Sequence, residues 1–502
     1  MVLEKLVELH NSLRDNILNF IMISYGVFIC NNIIIILYLN SSIGVNIVVK
    51  KVNSKFFILC FSVFLGIFLG VFYYKYETKN NIVYKSNDIE VVKPVFDGKP
   101  MEYAIYKEQE LNGAYPEVYK NLIPVYYEGG AWKKANIHEK WYSYKEFNWA
   151  NAVVVKDEKK EYYENSDANT VINKSDVLGF FVWIPRFEYK LFNVEFKPIE
   201  EQMLEVNFVN NETLKKTDVK NGLFYTHPAF SVNVNGETKE LNGFWIAKFE
   251  PTLEDGIIKI LATKPTLVNL NMAQMWTYAT SIKDSYGLDV STRIITNMEY
   301  GAMAALSYSN YGKRNNSEYT GSERLIFLNT AMGNDNWDKV VTGCSAGTAI
   351  NGGSYRCPYT YDYPYYGTGA SSTGTIYGIY DLAGGSWECV MGIVSDYPIN
   401  NNLGGFYGAL PQNKRYYTFY KPSDKFDYSR SQVGDMMGEV ISNKIANKTW
   451  NGNNAYFATV SYPWVKRGGS FRGGSYSGIF DFGITDALSR GDKTFRVILS
   501  LY

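Results

Sequence analysis

Histidine is nearly absent from this 502-residue chain: His10, His138 and His227 are the only three, far apart in sequence. A histidine-based triad or a His-x-x-x-His metal site has almost no material to be built from. Cysteine is scarce too. The five cysteines include no C-x-x-C pair and form no disulfide framework. Charge of one sign is also missing, because fifty basic and fifty acidic side chains cancel. A partner held by bulk electrostatics, nucleic acid above all, is therefore not implied. No clean internal repeat of solenoid or propeller length is present.

Aromatic residues are abundant: 42 Tyr, 29 Phe and 10 Trp. Such side chains pack well on pleated sheets. Tyrosine also suits recognition faces, where it offers contact area at low entropic cost.

Two apolar runs open the chain. The first, about Ile17 to Leu39, carries Asn31-Asn32 near its middle; the second, Phe56 to Tyr74, has no charge. Their lengths predict two transmembrane helices. Lys50, Lys51 and Lys55 between them make that loop cytoplasmic by the positive-inside rule. The expectation is a cell-membrane protein with residues 1–76 as anchor, the membrane as one partner, and an extracellular C-terminal domain. Residues 77–100, polar and Lys/Asn-rich, read as a linker.

Residues 101–156 read as a small all-β module. Val118 to Tyr127 is extended in pattern, Gly129-Gly130 breaks it, and Trp132, Trp141 and Trp149 follow among β-branched residues. The tryptophans are expected in its core. The pattern resembles a module of bacterial and phage surface proteins. Residues 157–176, charged and Asn/Asp-rich, read as a second linker, and 177–502 as the C-terminal domain. That domain opens on a buried strand, Phe180 to Tyr189, which Pro185 should confine to an edge or a bulge. Helical spacing follows over Leu267–Ser285.

Four segments then occur in a telling order. They are Asn-Gly-Phe-Trp-Ile-Ala-Lys-Phe-Glu at 242–250, Arg-Ile-Ile-Thr-Asn-Met-Glu-Tyr-Gly-Ala-Met-Ala at 293–304, Tyr-Gly-Ile-Tyr-Asp-Leu-Ala-Gly-Gly-Ser-Trp-Glu at 377–388, and a closing segment from Arg467-Gly-Gly-Ser to Phe495-Arg496. Together they resemble the formylglycine-generating enzyme (sulfatase-modifying) domain. The resemblance implies an α+β, C-type-lectin-like fold for the C-terminal domain, with its second helix over Arg293–Leu306. It departs at the chemistry. The family's oxidases bind copper through a cysteine pair in the closing segment, and no cysteine stands between Arg467 and Arg496. Copper(I) needs soft thiolate ligands, so no copper and no oxidase activity are expected. The closing Arg-Gly-Gly-Ser is also similar to that of retroelement-diversified variable proteins, which use this fold for binding.

By the same resemblance, Asp381 and Glu388 with the carbonyls of Gly384 and Ser386 would hold a structural calcium ion. Hard oxygen ligands suit calcium, and the alternative is a loop held by hydrogen bonds alone. Arg293 with Glu299, Arg467 and Arg496 are expected to be structural. Cys389 should be a buried stand-in for a tryptophan. Cys344 and Cys357 could pair or remain free thiols. Within the closing segment Arg472, Tyr476, Phe480, Phe482, Thr485 and Asp486 form the expected ligand face, mixing aromatic, cationic and acidic types between glycines. Their ligand would be an extracellular protein or glycan. The resulting expectation is a membrane-anchored, non-enzymatic surface binding protein. The alternatives are an oxidoreductase of the same superfamily or a purely structural surface protein.

Overall fold

A computed structural model of the chain describes residues 115–333, 336–350, 356–394, 410–411, 413–421 and 430–502; of residues 1–114 it describes a few strands by their backbone. The chain divides into two units, Met1–Val91 and Val92–Tyr502.

In the first unit, Tyr25–Cys30, Ile33–Asn40 and Gly44–Lys50 pair antiparallel as a three-stranded sheet. This corrects the spanning helix expected over Ile17 to Leu39. The three strands are rich in isoleucine and valine, which favour the pleated strand. The second run, Phe56 to Tyr74, lies outside the described residues, as does most of the linker expected over 77–100. Among the described residues no helix is long and apolar enough to cross a membrane. The two-helix anchor, and the cell-membrane placement with an extracellular C-terminal domain that rested on it, lose their ground.

The second unit is built on two larger sheets. Numbered along the chain, their strands are β1 (Ile123–Glu128), β2 (Ala131–Lys134), β3 (Asn151–Val155), β4 (Val177–Pro185), β5 (Gly243–Ala247), β6 (Ser291–Ile294), β7 (Trp387–Val394), β8 (Thr418–Tyr420), β9 (Trp464–Arg467), β10 (Phe482–Thr485), β11 (Lys493–Phe495) and β12 (Val497–Ser500). The first sheet is antiparallel throughout, in the order β6-β12-β5-β4-β3-β1-β2. The second runs β8-β7-β9-β10, with β11 also paired to β7. Among the described residues there are three α-helices: α1 (Asp157–Asn165), α2 (Met272–Ser285) and α3 (Asn297–Ser307). The α+β expectation is therefore corrected to a mostly β fold with few helices.

Domain boundaries shift for a related reason. Strands β1, β2 and β3 of the expected small module hydrogen-bond into the same sheet as β4, β5 and β12, so residues 101–156 are not a separate module. The segment 157–176, expected as a linker, carries α1, which Tyr163 fastens through its hydroxyl to Asp176 at 2.8 Å. Strand β4 is buried along its whole length, which is why its sequence is a continuous apolar run rather than an alternating one. Pro185 ends it, beyond the last pairing with β3. Trp183 and Trp245 face each other across β4 and β5, rings 5.4 Å apart. Trp132, Trp141 and Trp149 are core residues, as expected of such large apolar side chains.

Helix α3 begins at Asn297, not at Arg293. Thr296 caps it, accepting from the Glu299 amide while the Glu299 carboxylate accepts from the Thr296 amide. The segment before the cap, with β-branched Thr292 and Ile294, forms β6 instead. Arg293 then reaches forward to Glu299, with both nitrogens on both oxygens at 2.8 and 2.6 Å.

Candidate functional site

Two buried arginines hold the closing segment. Arg467, at the end of β9, donates to Asn297 Oδ1 at 2.8 Å, to the Asp435 carbonyl at 2.9 Å and to the Asp481 carbonyl at 3.3 Å, and lies over the Tyr300 ring. Arg496 ion-pairs with Glu388 and donates to the carbonyls of Ala247 and Tyr380. A planar guanidinium with several fixed donors suits such carbonyl-lined sites. Gly468 and Gly469 follow at φ +84° and +79°. A side chain at Gly469 would also strike Ser477 at 2.3 Å. Between these fixed points the chain turns outward at Gly474–Tyr476 and returns into β10.

The structure divides the six expected ligand residues. Arg472 and Tyr476 are exposed, Tyr476 by 56%. Phe480 and Phe482 are fully buried, which corrects their assignment to a ligand face. Phe480 packs on Tyr308 and Trp450, and Phe482 lies near the Arg467 guanidinium. Thr485 is buried and accepts from Lys493 Nζ at 2.6 Å, while half-buried Asp486 pairs with Arg490 at 2.8 Å. These two are engaged within the chain.

The loop expected to hold calcium is tied by protein groups. Asp381 Oδ1 accepts from Asn329 Nδ2 at 2.7 Å and from the Gly343 amide at 2.9 Å, and Oδ2 from the Glu250 amide at 3.4 Å. Both oxygens of Glu388 face Arg496. Glu250, outside the expected set, enters the loop and accepts from the Ser386 amide at 2.7 Å. Gly384 adopts φ +83° and donates its amide to the Gly468 carbonyl. Burial, then the neighbouring Asp381, pushes the Glu250 carboxyl far above the usual range. The donors around Asp381 and Glu388 are N–H groups and a guanidinium, a set that fits hydrogen-bonded carboxylates rather than calcium ligands. Among the described residues no group of three or more His, Cys, Asp or Glu could hold a metal ion.

Cysteine placement settles both open points. Cys344 and Cys357 form a disulfide, and Cys389 is buried with a free thiol.

Two features escaped the sequence. The first surrounds Tyr476. Lys448 Nζ lies 3.9 Å from the centre of its ring and donates to Asn454 Oδ1 at 2.6 Å. The second is a tyrosine patch beside the disulfide, where Tyr359 stacks on Tyr366 at 4.9 Å and touches Tyr363 at 5.1 Å. Tyr363 and Tyr366 are about half exposed. The density of tyrosine between Tyr359 and Tyr366 was the available signal for the patch. Nothing in sequence spacing brings Lys448 to Tyr476.

No family model matches the chain, and no curated protein does. A solved structure, Treponema denticola variable protein 1, matches at 11% identity with a TM-score of 0.23, over 64% of this chain and 95% of that one. A likeness at that level carries no argument about fold or function.

Proposed function

We propose that the second unit is a ligand-binding module of the non-catalytic, formylglycine-generating-enzyme-like kind, and that the outward turn of the closing segment is its recognition surface. The observation that supports this reading is the division of labour within thirty residues. Arg467, Arg496 and the two positive-φ glycines are buried or conformationally fixed, while Arg472 and Tyr476 stand in solvent between them. Rigid anchors around an exposed aromatic and an exposed guanidinium give a preorganised contact surface, with side-chain types that dominate binding hot spots. The ligand is a protein or a glycan. Catalysis is not part of the reading: the closing segment has no cysteine pair, and Cys389 is buried.

The test is capture on arrays of proteins and glycans by the whole chain, beside Arg472→Ala and Tyr476→Ala. Both variants should stay folded, within about 1 kcal/mol of the wild type, and lose the captured ligand. Capture that both variants retain would place recognition elsewhere, with the Tyr359–Tyr363–Tyr366 patch next in line.

A further inference from the structure

Acidic residues vanish from one long stretch of the second unit. Between Glu439 and Asp481 there is none, although the whole chain carries fifty in 502 residues. Lys444, Lys448, Lys466, Arg467 and Arg472 all fall in that stretch. The two acids that bound it are 2% and 1% exposed, so neither presents a counter-charge to solvent.

The stretch folds into turns that touch one another. Ile441 and Thr449 bridge antiparallel, and the Ser442 amide donates to the Lys448 carbonyl at 2.9 Å. These bonds close a loop in which residues 443–447 are all exposed. The turn that follows meets the closing segment. There the Asn454 amide donates to the Tyr476 carbonyl at 3.1 Å, and Asn453 Nδ2 to the Ser477 carbonyl at 3.1 Å. Lys448 Nζ stands 3.9 Å from the centre of the Tyr476 ring and donates to Asn454 Oδ1 at 2.6 Å. Among the described residues neither Lys444 nor Lys448 has a carboxylate partner. Lysines elsewhere in the unit do, such as Lys190 with Glu205 at 2.9 Å and Lys220 with Asp218 at 3.1 Å. Arg472 adds a third cation, exposed on the closing turn itself.

Shape favours a protein partner over a glycan. Ile445 and Tyr476 are 58% and 56% exposed, and at Gly474 nothing beyond the chain neighbours comes within 4 Å of where a Cβ would stand. Small ligands are held in concave sites, which reach their polar groups from several sides. Projecting turns that carry a tyrosine, an isoleucine and an arginine suit the face of another protein. The uncompensated positive charge sets the sign of that face, since potentials across an interface are complementary.

We infer that these turns dock an acidic segment of a partner protein, its carboxylates against Lys444, Lys448 and Arg472 and an apolar side chain against Tyr476. The inference rests on the recognition surface proposed above and names the chemistry of its partner. No part of the fold has to open, because each of these side chains already reaches solvent.

The test is biolayer interferometry of the whole chain against an oligoglutamate peptide carrying one leucine. A heparin oligosaccharide of matched charge and an oligolysine peptide run beside it, at about 50 mM and about 500 mM salt. The oligoglutamate peptide should bind best, and its affinity should fall about tenfold or more in high salt. Lys444→Glu, Lys448→Glu and Arg472→Glu should each lower it about tenfold or more. Lys444→Glu keeps the test readable should Lys448→Glu disturb the Asn454 contact. Lys283→Glu, exposed at the end of α2, is the control for net charge and should change nothing. No binding of the oligoglutamate peptide overturns the inference, as does an equal loss in Lys283→Glu or a preference for heparin. Peptide binding that Arg472→Ala and Tyr476→Ala both leave intact overturns it together with the surface on which it rests. If those two variants abolish capture of a protein while the oligoglutamate peptide does not bind, the surface stands and the acidic assignment falls.

Discussion

Arg496 and Glu388, both completely buried, form an ion pair in which Nε donates to the two carboxylate oxygens at 3.0 and 2.9 Å. The same guanidinium donates to the carbonyls of Ala247 in β5 and of Tyr380 before the 381–388 loop. One side chain thus ties the end of the chain to its central strand and to that loop. Glu388→Gln would leave the guanidinium buried without its counter-charge. Breaking such a pair from one side costs about 3–5 kcal/mol. Urea unfolding of the variant should show a loss of that order, and a loss below about 1 kcal/mol would mean that Glu388 is not the partner on which Arg496 depends.

Calcium removal should do nothing. Asp381 is held by Asn329 and two backbone amides, and Glu388 by Arg496. With the loop fastened by protein groups, its melting temperature in EDTA should equal that in added calcium. A drop of several degrees in chelator would show that an ion stabilises the native state by mass action.

These two cases show what sequence could and could not carry. The structural roles of Arg293 and Glu299 were legible because the pair, six residues apart, leaves a local motif; those of Arg467 and Arg496 were legible only through the resemblance of the closing segment, since their partners are far along the chain. Gly468 and Gly469 were legible too: their positive φ is a demand of the chain itself. The contacts of the 381–388 loop were not, because Glu250 and Asn329, which tie it, both stand far earlier in the chain, 136 and 52 positions from the residues they bond. Nor was the membership of β1 to β3 in the main sheet, since long-range pairing leaves no trace in local pattern. The first apolar run had a composition that serves either a spanning helix or a sheet, and strand pairing prevailed.

Gly469 admits no side chain. It combines φ +79° with Ser477 only 2.3 Å from where a Cβ would stand. Even Gly469→Ala should therefore destabilise the second unit, by more than the roughly 1 kcal/mol usual for glycine in a left-handed conformation. Gly474, also at positive φ (+52°) but with open space around it, is the control, and its alanine variant should lose only the backbone term. Equal losses at the two positions, read by thermal melting, would mean that the Ser477 contact relaxes.

Stability should carry an unusual pH signature. Burial, then the neighbouring Asp435, raises the Glu439 carboxyl to about 7. Burial likewise raises Glu117 to about 7 and Asp435 to about 6. A carboxyl whose folded pKa lies above its unfolded value holds its proton more tightly when folded. Its stabilising share is full below the unfolded value near 4.5 and is lost as pH rises through 7. His227, which burial lowers to about 3, acts in the opposite sense: its share is full above the unfolded value near 6.5 and is lost as pH falls toward 3. The two trends offset each other in the wild type. Glu439→Gln should uncover the carboxyl contribution, gaining on the wild type by roughly 2–3 kcal/mol between about pH 5 and about pH 8. A difference that does not change with pH would mean that Glu439 titrates as an ordinary carboxylate.

Tyr476 and Phe482 are six residues apart and should behave as opposites. Tyr476 is 56% exposed, and its ring meets the Lys448 ammonium at 3.9 Å. Its replacement by alanine removes an exposed cation–π contact, worth about 0.5–1 kcal/mol. Phe482 is fully buried and pairs with Arg467 across β9 and β10. Phe482→Ala opens a cavity under the buried guanidinium and should cost about 3–5 kcal/mol. Thermal melts of the two variants separate the exposed part of the closing segment from its buried part without any ligand in hand. Ligand capture then has a clean reading: its loss in Tyr476→Ala, with the fold preserved, reports on contact, whereas loss in Phe482→Ala reports only on unfolding. If Tyr476→Ala instead melts as low as Phe482→Ala, the turn is part of the core. Recognition would then have to come from a surface that stays exposed, such as the half-exposed rings of Tyr363 and Tyr366.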